Sequence, residues 1–213
     1  VRIGALEGNP VAEDMFEAAR CCPVDGIINT VLNRDGRIAG VYVGGLDEAH
    51  QAAARHARAL YAAPIARQAD VVIASAGSAK DFVQSHKALF NASQAMRPGG
   101  RMVFLAPCPE GFGGNKIERW LSLRTREAII AELRRNAEIN GQTALSAVEK
   151  APHAVMVTEL SSEQTALLGA QKAESFEEAL SLVRSVLAAD GIEEPTFYLM
   201  PAASHTVPMY EVG

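Results

Sequence analysis

The sequence predicts an α/β fold built on a mainly parallel sheet. Short, continuously apolar runs recur along it: ADVVIAS (69–75), RMVFLAP (101–107), HAVMVTE (153–159) and TFYLMPA (196–202). Such runs mark strands buried on both faces. Helix-like segments separate them, and parallel neighbours need crossovers of that length. Right-handed crossovers then give a three-layer, doubly wound, Rossmann-like sheet. One antiparallel β-hairpin precedes it, and the whole reads as a single α/β domain over 1–213.

The elements follow in order. VRIGAL is strand-like from the first residue. Asn9-Pro10 with Glu13 and Asp14 predicts a helix start, with a side-chain cap, a ring-fixed φ at the first position and acids in the first turn. That helix runs to about Cys22. GIINTVLN (26–33) and IAGVYVGG (38–45) are strands, and Asn33-Arg34-Asp35-Gly36 is the turn between them. Asp47 caps an alanine-rich helix to about Tyr61. A helix over 81–96 follows ADVVIAS, with Ser78 and Asp81 as its capping box. Arg97-Pro98-Gly99-Gly100 breaks the chain before RMVFLAP. The glycine-rich PEGFGGN leads into helices near 115–122, 125–138 and 142–150. Two more fall near 162–169 and 175–189.

Composition narrows the function. The 213 residues are 48% hydrophobic and 21% charged, with a net charge of -5. That balance argues against nucleic acid or an anionic membrane as a partner. No apolar run is long enough to span a bilayer. Cys21, Cys22 and Cys108 suit a reduced, cytoplasmic protein; adjacent Cys21 and Cys22 read as small buried residues at a helix end. The five histidines show no metal-ligand spacing. His50 and His56 read as exposed, His86 as a packed core residue, and His205 lies at the functional edge after the last strand.

Ligands of doubly wound sheets bind beyond the carboxyl ends of the strands. Segments 75–87, 106–115 and 201–208 fall there. On the helix after Ser75, Gln84 and Lys87 share a face one turn apart. The helix N-terminus, with open N–H groups and its positive dipole end, adds to Lys87 as a site for a carboxylate or phosphate. A solvated helix face has the same pattern. In PCPEGFGGN, Glu110 reads as a base or a secondary acceptor, and Cys108 as a nucleophile with no histidine paired to it. A mobile loop holding a buried cysteine reads equally well. No G-x-G-x-x-G follows a strand, so a dinucleotide has little support.

LEGNPVAEDMFEAAR, GIINTVLN, the strand–helix unit ending in QSHKALFNA, and MRPGG with PCPEGFG resemble the C-terminal domain of the nickel-pincer lactate racemase family. The resemblance runs over most of the chain and lies in the order of segments. It implies an isomerase that racemises or epimerises small 2-hydroxy acids, using a nickel-pincer nucleotide that takes and returns the hydride of the 2-carbon while two histidines serve the hydroxyl. The family's site lies between two domains. Its C-terminal domain contributes a Tyr-Gln-x-x-Lys pattern, read here as Val83-Gln84-Ser85-His86-Lys87. Gln84 and Lys87 are thereby implied as catalytic residues; beside them, Ser78, Asp81, Glu110 and Thr143 are expected to bind substrate. The tyrosine is Val83 here. A tryptophan typical of lactate racemases falls near Gln142-Thr143, so a larger or more polar acid than lactate is implied.

The family's pincer lysine, nickel histidine and catalytic histidines belong upstream of a segment like VRIGALEGNP. With Val1 in place of Met, the expectation is a C-terminal domain whose partner, a missing N-terminal domain, anchors the cofactor. This chain alone is then expected to hold no cofactor or metal, to be inactive and to expose apolar surface. Alternatives are a non-catalytic ligand-binding or regulatory module, and, from MRPGGRMVFL, a methyltransferase-type fold that lacks the early glycine-rich turn.

Overall fold

The computed structural model describes residues 5–22 and 24–210. The strand-like reading of VRIGAL falls mainly on residues 1–4, outside the described residues. The chain divides into two compact units, 1–62 and 63–213.

In the first unit, α1 (Pro10–Arg20) starts where the sequence places it. The Asn9 Oδ1 accepts the N–H groups of Val11 and Ala12 at 3.1 and 3.5 Å. Strands β1 (Ile27–Leu32) and β2 (Ile38–Gly44) pair antiparallel. Their turn is set by Asn33, whose Oδ1 accepts from the N–H groups of Asp35 and Arg37 at 3.0 and 2.9 Å. Gly36 supplies the left-handed residue at φ 74°, a conformation cheap only without a Cβ.

Helix α2 (Leu46–Tyr61) begins at Gly45, not at an Asp47 cap. Asp47 lies inside the first turn and accepts two bonds from the Arg20 guanidinium, at 2.8 and 3.0 Å. The face of the hairpin carrying Val31 and Tyr42 turns to α2, and Tyr42 Oη is 2.7 Å from His56 Nδ1. Three readings are corrected here. Cys21 and Cys22 are exposed, because they follow α1 at its open end. His50 and His56 are half-buried, because Phe16 stacks edge-on against one and Tyr42 against the other.

The second unit holds the parallel sheet, in the order β7 (Gln171–Ala173), β6 (Ala154–Val157), β5 (Met96–Leu105), β4 (Ala69–Ser75), β8 (Phe197–Met200). Alternation along the strands sorts two cores. Val72, Ala74, Met102, Phe104 and Met156 face α3 (Phe82–Gln94), α4 (Asn115–Leu121) and α6 (Ile139–Lys150), joining Phe82, Leu89 and Trp120. Val71, Val103 and Val155 turn the other way, onto Ala179, Val183 and Leu187 of α8 (Phe176–Ala189). Both faces are covered, as continuous apolar strands require. Helices α5 (Arg126–Leu133) and α7 (Ser162–Leu167) complete the order. The α4–α6 seam is fixed by the Trp120 indole, which donates to Glu138 at 2.8 Å. That bond and Lys116 hold the Glu138 carboxyl below its usual range.

The sequence reading missed three short elements. Strand β3 (Ala62–Ile65) pairs with β9 (Val207–Tyr210) as a separate two-stranded sheet, and β7 forms the edge of the main one. Their 3 or 4 residues are too few to show a period. Arg97-Pro98-Gly99-Gly100, read as a break, lies within β5 and is absorbed by a register shift against β4 between Ala69 and Val71.

Asp70 ties three segments at the start of β4. It accepts from the Thr196 hydroxyl at 2.6 Å, the Thr196 N–H at 2.8 Å and the Arg97 guanidinium at 2.6 Å. Those bonds, Thr196 first, pull its carboxyl down to about 2. A depressed carboxyl stabilises the fold above its unfolded value and loses that effect as pH falls through the folded one. Asp70→Asn is therefore expected to cost about 1 kcal/mol at neutral pH, allowing for solvent screening. The gap to wild type should close between pH 4 and 2 in urea titrations.

Candidate functional site

The carboxyl edge of the sheet gathers the turn 76–81 after β4, the loop 106–114 after β5, and the first turns of α3. Helix α6 leads back to the amino end of β6, so its first turns lie at the same edge as those of α3. The late turns agree with this parallel course: Lys150 Nζ lies 4.9 Å over the Phe90 ring.

Asp81 organises this edge. It is the N-cap of α3 and is 8% exposed. Its Oδ1 accepts the Gln84 N–H at 2.8 Å and its Oδ2 accepts the Gln84 side-chain amide at 3.0 Å. The loop closes over it. The Phe82 N–H donates to the Gly111 carbonyl at 3.0 Å and the Val83 N–H to the Phe112 carbonyl at 3.3 Å. A Cβ on Gly113 would lie 2.5 Å from the Asp81 Cγ, and Gly113 has φ 86°, so only glycine fits there.

This corrects two expectations. The N-terminus of α3 offers no open N–H donors to an anion, because loop carbonyls and the cap take its first three. Ser78 and Asp81 form no capping box, because the helix starts at Phe82 and Asp81 itself is the cap; Ser78 is exposed in the preceding turn. A capping box does form on α7, between Ser161 and Gln164.

The remaining site residues divide. Gln84 and Lys87 are both exposed on α3. Among the described residues no acidic group pairs with the Lys87 ammonium. Glu110 is at the same edge, where its carboxylate lies 3.6 Å from the Lys80 ammonium, an exposed pair of small energetic weight. Thr143 is half-buried on α6, and its hydroxyl donates to the Ile139 carbonyl at 3.4 Å. His205 ends a short 3₁₀ turn, 203–205, tethered to α3 by the Asn91 amide donating to the Ala203 carbonyl at 2.8 Å.

Cys108 is buried as expected, but its loop is pinned, not mobile. Pro107 accepts from the Glu159 N–H at 2.8 Å, and the Glu110 N–H donates to Lys80 at 2.9 Å. Burial pushes the Cys108 thiol up, away from the nucleophilic thiolate. The Ser85 hydroxyl donates to the Asp81 carbonyl at 3.0 Å. The thiol, 3.3 Å away, therefore donates to Ser85. His86 packs between Phe82 and Phe90, and burial together with the Lys150 charge lowers it to about 4. It is a neutral packing residue.

The sequence reading did not find Ser85 and Gly113 as supports of Asp81. The signal was present in the glycine pair 113–114, but its target lies 32 positions earlier. A cavity of about 570 Å³ in the first unit is lined by Leu6, Glu7, Glu13, Phe16, Arg20, Asp47 and Gln51. Three of its charged groups meet local partners, Arg20 with Asp47 and Glu13 with the Gly8 N–H. Among the described residues no three His, Cys, Asp or Glu side chains converge as a metal site, and no helix is long and apolar enough to cross a membrane.

The Gly113 contact is testable. Gly113→Ala is expected to destabilise the chain by about 1–3 kcal/mol, through strain at positive φ and displacement of the cap. Chemical denaturation measures it, and Gly114→Ala, with open space around its Cβ, gauges backbone strain alone.

No family model matches the chain. It is 31% identical over 122 residues to a lactate racemase of Thermoanaerobacterium thermosaccharolyticum, a match covering 56% of this chain and 28% of the relative. A lactate racemase of Lactiplantibacillus plantarum is 30% identical over 116 residues, covering 53% and 27%. The matched stretch is thus less than a third of either relative. In structure the chain is similar to the lactate racemase apoprotein of T. thermosaccharolyticum, with a TM-score of 0.82 and 22% identity over 97% of this chain and 51% of that one. A crystal structure from Thermotoga maritima follows at a TM-score of 0.56 and 10% identity, covering 87% and 49%. Lactate racemase homologues therefore match about half of this chain at about 30% identity, and its fold is similar over nearly all its length to that of the lactate racemase apoprotein.

Proposed function

We propose that this chain is the C-terminal part of a 2-hydroxy acid racemase or epimerase, and that Gln84 and Lys87 hold the substrate in a site completed by a further domain. The observation that carries this reading is the exposed Gln84–Lys87 pair on the first two turns of α3, at the carboxyl edge of a sheet similar to that of a lactate racemase. A compact, mobile ammonium suits a carboxylate as a point charge. Gln84 and Lys87 bind and orient the acid. Ser78 and Glu110, exposed at the same edge, and Thr143, on the neighbouring helix, fit secondary contacts to the substrate, while Asp81 acts through Gln84.

The nickel-pincer nucleotide belongs, in this reading, to the longer protein. The residues of this chain do not fit it: among those described, no three His, Cys, Asp or Glu side chains converge as metal ligands. The acid and base for the hydroxyl are assigned to the partner domain, in a cytoplasmic enzyme.

The same partner accounts for an apolar face on the first unit. On the hairpin, Ile28 pairs with Val43, Thr30 with Val41 and Leu32 with Ile38. All six point away from α2; Ile28 and Val43 are 72% and 71% exposed. A contiguous apolar face of this kind marks an interface, and a two-stranded ribbon is marginal without further packing. We assign it to the missing N-terminal domain, since the chain covers 51% of the similar apoprotein.

Two measurements test these assignments. In the full-length enzyme loaded with its cofactor, Lys87→Ala is expected to lower kcat/KM for 2-hydroxy acids by about 100-fold or more, the usual cost of removing one partner of a desolvated charge pair. A loss under threefold would exclude Lys87 from the site. The 213-residue chain is expected to bind a hydrophobic dye, and the Val41→Lys, Val43→Lys double variant to abolish that signal. The same pair of changes should destabilise the full-length protein by about 2–4 kcal/mol; an unchanged unfolding midpoint would mean the face stays uncovered there.

A further inference from the structure

We propose that the β8 edge of the parallel sheet is a docking surface for a second copy of this chain, joined antiparallel, strand to strand. This surface is separate from the α3 tip and does not depend on which ligand that tip takes.

Strand β8 pairs with β4 on one side and ends the sheet on the other. The Val71 N–H donates to the Thr196 carbonyl at 3.0 Å, so Thr196 turns its backbone groups toward β4. Backbone direction alternates along a strand, and Tyr198 and Met200 therefore turn the same way. The N–H and C=O groups of Phe197 and Leu199 point outward, and among the described residues nothing pairs with them. The same two residues lie in register with Val71 and Ile73, on the face of the sheet that carries α8. Helix α8 packs over β5, β6 and β7. Beyond its cover, Phe197 and Leu199 are 66% and 65% exposed. Apolar side chains and an open ladder on the same residues form a template for a further strand.

The edge is complementary to itself. Set antiparallel with Tyr198 facing its symmetry mate, Phe197 meets the partner's Leu199, and Leu199 meets the partner's Phe197. Each such pair exchanges both N–H···O bonds and buries its side chains against one another. Pro195 and Pro201 occupy the next outward positions and come opposite each other. Neither carries an N–H, so the ladder ends without a stranded donor. Glu193 and Glu194, exposed just before the strand, go to opposite ends of the joint. A parallel arrangement would set these acids side by side. No charge or proline interrupts Phe197–Met200, whereas β7, at the other edge of the sheet, carries Lys172, a usual guard against edge pairing. Isologous pairing also closes at two copies. The joint is short, so the dimer is concentration-dependent and falls at the low end of specific interfaces, below about 1,200 Å².

Sedimentation velocity and amide hydrogen exchange test this on the 213-residue chain carrying Val41→Lys and Val43→Lys, which silence the hairpin face. The chain is expected to pass from monomer to dimer as its concentration rises. The Phe197 and Leu199 amides should slow by about tenfold or more as the dimer forms. Leu199→Lys, an exposed change that leaves the β4 ladder in place, should weaken dimerisation by about tenfold or more. Phe197→Thr, still a strand former, is the second variant and should weaken it in the same direction. A monomer at every concentration would overturn the proposal. So would a dimer that survives either change, or one whose Phe197 and Leu199 amides exchange at the monomer rate. The full-length protein is expected to dimerise through the same edge. A full-length monomer would overturn the proposal whatever those amides do, and slow exchange there would assign the edge to the missing domain instead.

Discussion

One buried carboxylate organises the candidate site. Asp81 is nearly removed from water, and a buried charge persists only where hydrogen bonds replace its solvation. Gln84 supplies two of those bonds, one from the backbone and one from the side chain. The loop after β5 then closes on the same point, giving its carbonyls to the first two N–H groups of α3, those of Phe82 and Val83, and allowing a glycine alone beside the carboxyl group. Cap, loop and side-chain orientation form one arrangement, and displacing any of them unsettles the others.

That arrangement changes the chemistry of a helix start. An open helix N-terminus attracts anions through its unpaired N–H groups and dipole. Here the acidic cap and the loop carbonyls spend both. What remains for a ligand is side-chain chemistry, a neutral amide and a mobile ammonium one turn apart, held on a rigid element at the edge where doubly wound sheets bind ligands. The buried neighbours of the pair are packing groups. Cys108 is a protonated thiol in a hydrogen-bond chain to Asp81, and His86 is a neutral ring between two phenylalanines.

The fold was legible wherever a residue's partner lay close in sequence or its pattern was long. Strands β4 and β6 announced themselves as unbroken apolar runs, and Asn9 as a cap, because their physics is local. Asp47 misled because an acid in a first turn looks the same whether it caps the helix or bonds a residue such as Arg20, 27 positions away. The short strands β3, β7 and β9 carried too few residues for a period, and Pro98-Gly99-Gly100 resembled a break because a bulge uses the same residues as a turn. The positions of Gln84 and Lys87 were readable from their spacing; the closure of the helix tip was not, since it depends on a loop some 30 residues later.

The sequence by itself determined the layered α/β architecture, the hairpin and the placing of a polar pair after a buried strand, because periodicity and chain direction are properties of neighbouring residues. Only the tertiary structure decided that the apolar runs split into two cores and that the loop after β5 closes the tip of α3. Those outcomes depend on which distant groups meet in a closed volume where every buried polar atom needs a partner, and no local pattern encodes such a meeting.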